Sequence, residues 1–319
     1  MGSSIEWTDE TWNIVTGCDR ISPGCDHCYI ERTIPFRIEG RRFDEHGRMG
    51  IRLHPDRLDK PLHWRKPRLV FVNSLSDLFH KDVPADFVLA VWSTMSRAPQ
   101  HTFQLLTKRP QRMQRIVDAI AFTLDDGAAR LGDPFTGGEA YLWPGTWDDE
   151  EGDPWPVTEA DIDGGGEQPL PNVWLGTSIE SDRYTFRADH LRATPAAVRW
   201  LSLEPLLGAL PSLSLEGIDW VVVGGESGPG ARPMHPGWVR DIRDRCVAAD
   251  VPFFFKQWGE WLPLDAREHL DLPPGQRQWT KVGGDLVDGG AAMVRVGKKT
   301  AGRELDGRTW DQYPEAATS

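Results

Sequence analysis

Short apolar runs alternate along this chain with stretches of helical period. Trp12-Asn13-Ile14-Val15 comes first, and Leu69-Val70-Phe71-Val72 stops at the polar cluster Asn73-Ser74-Leu75-Ser76-Asp77. Thr102 to Leu106 ends at Thr107-Lys108-Arg109, and Asn172 to Leu175 at Gly176-Thr177-Ser178-Ile179-Glu180. Val198 to Leu201 ends at Ser202-Leu203-Glu204-Pro205, Ile218 to Val223 at a glycine-rich turn, and Val251 to Phe255 at Lys256-Gln257-Trp258. Between them, Pro84 opens a helical pattern with Phe87, Val88, Val91, Trp92 and Met95 on one side, and Pro110 opens another through Met113, Ile116 and Ile120. Further helices are expected up to Leu191, over Trp238 to Ala248, and over Tyr29 to Gly40 with Pro35 interrupting it.

Runs this apolar, without strict alternation, suit parallel strands covered on both faces. Polar or glycine-rich residues at each run's end suit the mouth of an α/β barrel, where several strands contribute groups. The pattern therefore predicts an α/β fold: a partial (β/α) barrel of six or seven parallel strands, TIM-like. An open doubly wound sheet would read similarly.

Two regions break the alternation. Residues 124–171 are acidic, rich in Gly and Pro, and without a usable period, and read as an insertion. Residues 259–319 read as a small β-rich appendage to a barrel domain spanning 1–258. The insertion also explains the charge. Of the net −12, Asp125 to Glu167 contributes thirteen acids against one base, Arg130, and the remainder carries 35 of each sign. Acidity confined to one segment argues little against a nucleic-acid partner, and no compact Lys/Arg run argues for one. No apolar run is long enough to cross a membrane, and the first residues lack the basic start and apolar core of a signal peptide. Four cysteines in 319 residues are too few for a secreted disulfide framework, so a cytoplasmic location is expected.

Three of those four, Cys18, Cys25 and Cys28, fall within eleven residues with C-x6-C-x2-C spacing, on the loop after the first apolar run. Thiolates grouped this closely form a disulfide, bind zinc, or hold an iron–sulfur cluster. A disulfide suits a reducing compartment poorly. Zinc would need a fourth ligand, and His27 adjoins Cys28 too closely for an easy tetrahedron. A cubane cluster on three thiolates leaves one iron open. Cys246, in a helical stretch, reads as a small buried apolar side chain.

The strand ends have competing readings. Asn73, Ser74 and Asp77 can cap the following helix or face a ligand. Ser178 and Glu180 can start a helix or accept hydroxyl groups. Glu204 and Lys256 read as mouth-facing charges. Lys108 and Arg109 contact an anion or edge a solvated loop. Gly224 to Gly230 lets backbone approach a ligand closely but lacks dinucleotide spacing.

The order of these features resembles the radical S-adenosylmethionine superfamily. WNIVTGC…SPGCDHCYIER, VFVNSLSDLFH, LLTKRP, GTSIES, SLEPLLG, GGESGPGARP, FFFKQWG and GRELDGRTW together resemble a phage and prophage family known as three-Cys-motif proteins. The chain departs from the usual radical-enzyme pattern in its six-residue first gap, in His27 before the last cysteine, and in having no Gly-Gly-Glu segment after the second strand. The resemblance implies a [4Fe-4S] cluster on Cys18, Cys25 and Cys28, and S-adenosylmethionine near the strand ends Asn73, Ser74, Asp77, Thr177, Ser178 and Glu180. Gly224, Gly225 and Glu226 follow a later strand than the family's Gly-Gly-Glu and are expected at the cofactor only because their backbone can approach a ligand closely. Glu204 and Lys256, from their positions at strand ends rather than from the resemblance, are the expected catalytic groups. Reductive cleavage of S-adenosylmethionine would let a carbon radical take hydrogen from a substrate. A phage setting suggests a nucleobase, nucleotide or modified DNA base, and the chemistry needs an electron donor such as flavodoxin or ferredoxin. A zinc-binding adaptor and a zinc-dependent hydrolase are the competing classes.

Overall fold

The computed structural model describes residues 5–125, 130–132, 139–141, 169–264, 278–284 and 289–315. Its strands are β1 (Glu10–Trp12), β2 (Val15–Thr16), β3 (Arg52–Leu53), β4 (Leu69–Val72), β5 (Thr102–Thr107), β6 (Arg130–Gly132) and β7 (Glu139–Tyr141). They continue with β8 (Val173–Ser178), β9 (Val198–Leu203), β10 (Trp220–Gly224), β11 (Phe253–Gln257), β12 (Trp261–Pro263), β13 (Trp279–Val282) and β14 (Ala291–Arg295). The helices are α1 (Ile34–Glu39), α2 (Ala85–Ser96), α3 (Pro110–Asp125), α4 (Phe186–Ala193), α5 (Pro236–Ala248) and α6 (Lys298–Ala301).

Seven parallel strands form one sheet in the order β1-β4-β5-β8-β9-β10-β11. That order follows the chain without reversing. A doubly wound sheet reverses at a switch point, so the partial α/β barrel is the architecture present.

Two local expectations change. The first run leaves the sheet at Trp12 because Asn73 takes the N–H groups of Ile14 and Val15 with its side-chain oxygen, at 3.1 and 3.2 Å. Val15–Thr16 pairs instead with β3 in an antiparallel bridge. The expected first helix is a 3-10 turn, Tyr29–Arg32, followed by α1. Pro35 sits in the first turn of α1, where its missing N–H costs nothing, and Gly40 closes the helix in the left-handed conformation. The insertion expected at 124–171 falls mostly outside the described residues; the antiparallel β6–β7 pair is part of what is described.

The chain divides into two compact units: residues 1–19, 49–176 and 190–198, and residues 20–48, 177–189 and 199–319. In the first, α2 buries Phe87, Val88, Val91, Trp92 and Met95, the stripe its sequence presents. Burial of each such side chain is worth about 1.5–3 kcal/mol. Trp12 is buried as well and donates its ring N–H to the Arg57 carbonyl at 2.7 Å.

In the second unit every residue of β10 is buried, as the unbroken apolar run requires. Trp220 packs on Trp200 and stacks on Tyr313, with ring centroids 5.4 and 5.2 Å apart. The chain's end returns to the outer strand β11, where Phe255 donates its N–H to the Trp310 carbonyl at 2.9 Å, so the sheet edge is partly covered. Strands β12, β14 and β13 form a separate antiparallel sheet in that order. It buries Trp261 and Met293 against Ala231. No helix among the described residues is long and apolar enough to cross a membrane.

Candidate functional site

In the first unit, two asparagines join the ends of β1 and β4. Asn73, in the left-handed conformation, receives Ile14 and Val15, while the Asn13 side-chain oxygen receives the Leu75 N–H at 3.0 Å and the Ser74 hydroxyl at 3.2 Å. Gly17 then donates to the Leu75 carbonyl at 3.1 Å, so the chain just before Cys18 runs along the end of β4.

Asp77 is the hub of this region. Its oxygens accept from the Phe79 N–H at 3.0 Å, the Thr107 hydroxyl at 2.7 Å, the Lys108 N–H at 3.2 Å and Arg109 Nη1 at 2.7 Å. Arg109 carries the connection on to the cysteine loop. Its Nη1 also points at Cys18 Sγ, at 3.8 Å, and Nη2 donates to the Asp19 carbonyl at 3.1 Å. Burial alone would lower the Arg109 pKa, but the Asp77 carboxylate and the Cys18 sulfur outweigh it and raise the value. The guanidinium is thus permanently charged and fixed in direction.

Behind Asp19 lies His80, fully buried, with Nε2 3.0 Å from Asp19 Oδ2. The Asp82 N–H donates to Nδ1 at 3.2 Å, which leaves the ring proton on Nε2. Burial, aided by the Arg109 charge, lowers the His80 pKa and keeps the ring neutral. Asp19, His80 and Asp82 bring ligand-type atoms within 4.8 Å of one another. Lys81 on Asp82, Arg112 on the His80 carbonyl and Arg109 on the Asp19 carbonyl surround them with positive charge, so the set reads as a balanced anchor.

None of the four cysteines is in a disulfide. Cys18 is the next-to-last residue of the first segment of the first unit; Cys25 and Cys28 belong to the second unit, at a 3-10 turn over Pro23–Cys25 and just before the turn over Tyr29–Arg32. All three are half-buried, and the Ser22 hydroxyl is 3.8 Å from Cys25 Sγ. Cys246 is fully buried on α5, its thiol pushed up to about 12 by that burial, which makes it a poor ligand. Each of the three is a free, partly accessible thiol, the kind of soft donor that an iron–sulfur centre takes, and Cys18 faces a guanidinium.

In the second unit, the loop after β10 serves the cysteine segment. Glu226 is 7% exposed and its carboxylate is taken by Arg232, through Nε at 2.9 Å and Nη2 at 2.6 Å, and by His27 Nδ1 at 3.1 Å. Burial would raise the Glu226 pKa; the hydrogen bonds from Arg232 and His27 pull it below the ordinary value. Arg232 also donates to the Pro23 carbonyl at 2.8 Å and pairs with Asp26 at 3.3 Å. The glycines allow this closeness. A Cβ on Gly225 would stand 1.9 Å from the Trp258 carbonyl oxygen, and one on Gly230 would stand 3.2 Å from His27 Nε2. The glycine-rich turn therefore packs closely on Trp258 and on the cysteine segment.

Two further carboxylates occupy strand ends of this unit. Glu204 follows β9, and Lys256 Nζ lies 2.9 Å from each of its oxygens, with Gln257 Nε2 at 3.2 Å. Gly224 adjoins the same carboxylate, since a Cβ there would stand 3.1 Å from Glu204 Oε1. Glu180 follows β8 and is fully buried; Arg187 Nη1 binds its Oε2 at 3.0 Å and the Ser178 carbonyl at 2.8 Å. Its Oε1 is buried with no hydrogen-bond partner among the described residues. Gly24 packs directly on this side chain, with its Cβ direction 3.3 Å from the carboxyl carbon. Thr177 and Ser178 are buried on β8.

Of the residues singled out in the sequence, the first unit thus gathers Cys18, Asn73, Ser74 and Asp77 at adjoining strand ends. The second pairs Glu204 with Lys256 and Gly224, sets Glu180 against the cysteine segment, and joins Glu226 to His27. Capping does not explain Asn73, Ser74 or Asp77, because α2 begins at Ala85. Sequence reasoning missed Asn13, Arg187, Arg232 and Gln257. Arg232 stands in the marker GGESGPGARP, but its grip on Glu226 and Pro23 depends on a turn that sequence does not reveal.

A parallel sheet with its strands in chain order, polar strand ends and a thiol-bearing loop define an α/β protein of partial-barrel type with soft-metal donors. The chain belongs to the family described as "Protein of unknown function (DUF5131)", whose model matches residues 2–314. That description carries no phage name. No curated protein matches the chain. Among solved structures, it is similar to spore photoproduct lyase complexed with dinucleoside spore photoproduct, at TM-score 0.37 and 11% identity, over 94% of this chain and 72% of that one. A mutant of spore photoproduct lyase gives TM-score 0.37 and 12% identity, over 93% and 71%. Similarity this distant carries no argument about chemistry.

Proposed function

We propose that the protein is a radical S-adenosylmethionine enzyme. The observation that carries the reading is the set of three reduced, half-buried thiols on the loop that leaves the first strand of a parallel α/β sheet, with a guanidinium on the first of them. Cys18, Cys25 and Cys28 would hold a [4Fe-4S] cluster, which when bound supplies the electron that cleaves S-adenosylmethionine and so yields a hydrogen-abstracting radical.

The chain's own residues do the rest. Glu180 offers an unpartnered buried oxygen to a cofactor hydroxyl. Thr177 and Ser178 line the same strand. Asn73, Ser74 and Asp77 shape the floor beside Cys18, and Glu226 holds His27 of the cysteine segment, from a turn whose close packing Gly224 and Gly225 allow. Glu204 and Lys256 form a charge pair that a polar substrate can open, exchanging one internal ion pair for two contacts of its own. The substrate class is a nucleobase, nucleotide or modified DNA base, a choice that rests on the phage-type motifs. A flavodoxin or ferredoxin in the cytoplasm supplies the electron.

The test is anaerobic purification, reconstitution with iron and sulfide, and reduction with S-adenosylmethionine present. About four irons per chain and formation of 5′-deoxyadenosine are expected from the cluster formula. Zinc in the site, or an intact cluster that never forms 5′-deoxyadenosine, overturns the reading.

A further inference from the structure

We propose that Arg109 is a positioning residue for the ligand sulfur of Cys18, aimed there by Asp77, and that it sets the reduction potential of the bound cluster. The inference rests on the cluster assignment above and adds a group to it.

Three observations carry it. Arg109 is 14% exposed and its partner Asp77 7%, so the pair is withdrawn from water in the first unit. A single nitrogen, Nη1, serves both Asp77 Oδ2 at 2.7 Å and Cys18 Sγ at 3.8 Å, so the carboxylate fixes the direction in which the guanidinium faces the sulfur. Nη2 holds the carbonyl of the next residue, Asp19, at 3.1 Å. One guanidinium therefore fixes the backbone beside the ligand and its sulfur together.

A salt bridge alone explains less. Asp77 is already satisfied by the Thr107 hydroxyl and by the N–H groups of Phe79 and Lys108, and does not need Arg109 for hydrogen bonding. A solvated loop edge would not bury the side chain. Placed as it is, Arg109 directs a positive charge and an N–H group at a sulfur that gains negative charge when a cluster is reduced. In a site of low dielectric both favour the reduced state. Lysine has the charge without the planar fork that reaches carboxylate, carbonyl and sulfur at once.

The test is a redox titration of the reconstituted protein, followed by electron paramagnetic resonance. For Arg109→Met, with iron and sulfide content unchanged, the ratio of reduced to oxidised cluster at a fixed applied potential should fall about tenfold, a midpoint ~59 mV lower for one electron. Arg109→Lys should fall between Arg109→Met and wild type. Where Arg109→Met does not fold, Asp77→Asn combined with Arg109→Met removes both charges, and its midpoint should move the same way. A fully loaded variant whose midpoint stays within about twofold of the wild-type ratio overturns the proposal. A wild-type protein that takes up no iron and sulfide overturns the cluster assignment instead, so the two failures are distinguishable.

Discussion

In the first unit a buried aspartate holds an arginine, and the arginine turns its remaining N–H groups to a sulfur and a carbonyl. In the second the roles are exchanged: a buried glutamate is held by an arginine, and the carboxylate reaches on to His27 while the arginine grips Pro23 and Asp26. Both pairs end on residues of the cysteine segment, each within its own unit. Only the first presents a charge to a thiol. Two carboxylate–arginine pairs thus do different work: Asp77 and Arg109 act on the Cys18 sulfur, whereas Glu226 and Arg232 shape the backbone between Cys25 and Cys28 and just before Cys25.

The largest effects test whether both networks serve one ligand set. Cys18→Ala and Cys25→Ala should each reduce bound iron from about four per chain to near none, while Cys246→Ala keeps full iron and loses only some thermal stability. Iron and sulfide analysis decides it. Iron retained by either of the first two variants breaks the comparison, because that cysteine would then not be a ligand.

Next is the turn that the second network needs. Gly225→Ala drives a Cβ into the Trp258 carbonyl, which the backbone cannot avoid, and should cost more than about 3 kcal/mol in denaturant unfolding. Gly50→Ala, with nothing within 4 Å, should change stability by less than about 1 kcal/mol.

A third measurement compares the arginines. Arg109→Met leaves the Asp77 carboxylate hydrogen-bonded but without its counter-charge, in a site 7% exposed, and should cost about 3 kcal/mol. Arg232, 30% exposed, is nearer water, and Arg232→Met should cost about half as much. Equal costs would mean that burial does not separate the two networks.

The smallest effect concerns pH. Burial lowers the His80 pKa below its ordinary 6.5, so the unfolded chain binds a proton more readily than the folded one. Stability from the neutral ring is therefore complete above pH 6.5 and is lost as pH falls from there toward the folded pKa. Urea unfolding at pH 7 and pH 5.5 should show a decline in wild type that His80→Gln flattens. Equal declines in both would place the titrating group elsewhere.

Much of this organisation is legible in the order of residues. Leu69 to Val72 and Ile218 to Val223 read as buried parallel strands because so apolar a run has nowhere else to go, and strands form at Leu69–Val72 and Trp220–Gly224. The α2 stripe reads as a helix face for the same reason. The first strand is read two residues late, since Asn73, distant in sequence, removes Ile14 and Val15 from the ladder. Arg109 could be read as an anion contact or as a loop edge; its place beside Cys18 follows from β5 lying next to β4, a long-range pairing. The glycines from 224 to 230 announce close approach, but not to what. Glu204, Trp258, Arg32 and His27 are neighbours of these glycines, and only the folded turn brings them there.

Local patterning by itself determined the run of parallel strands to within one, the polar character of their ends and the clustering of three thiols, because each depends on residues close together in the chain. The fold fixed the strand number at seven. Strand order was left open, since a barrel and a doubly wound sheet bury similar runs. Tertiary structure decided it in favour of chain order. It also decided which charges meet: Asp77 with Arg109, Glu226 with Arg232 and His27, and Glu204 with Lys256. Buried charges pair with whatever partner the fold brings within reach, and that distance is set by packing rather than by sequence separation.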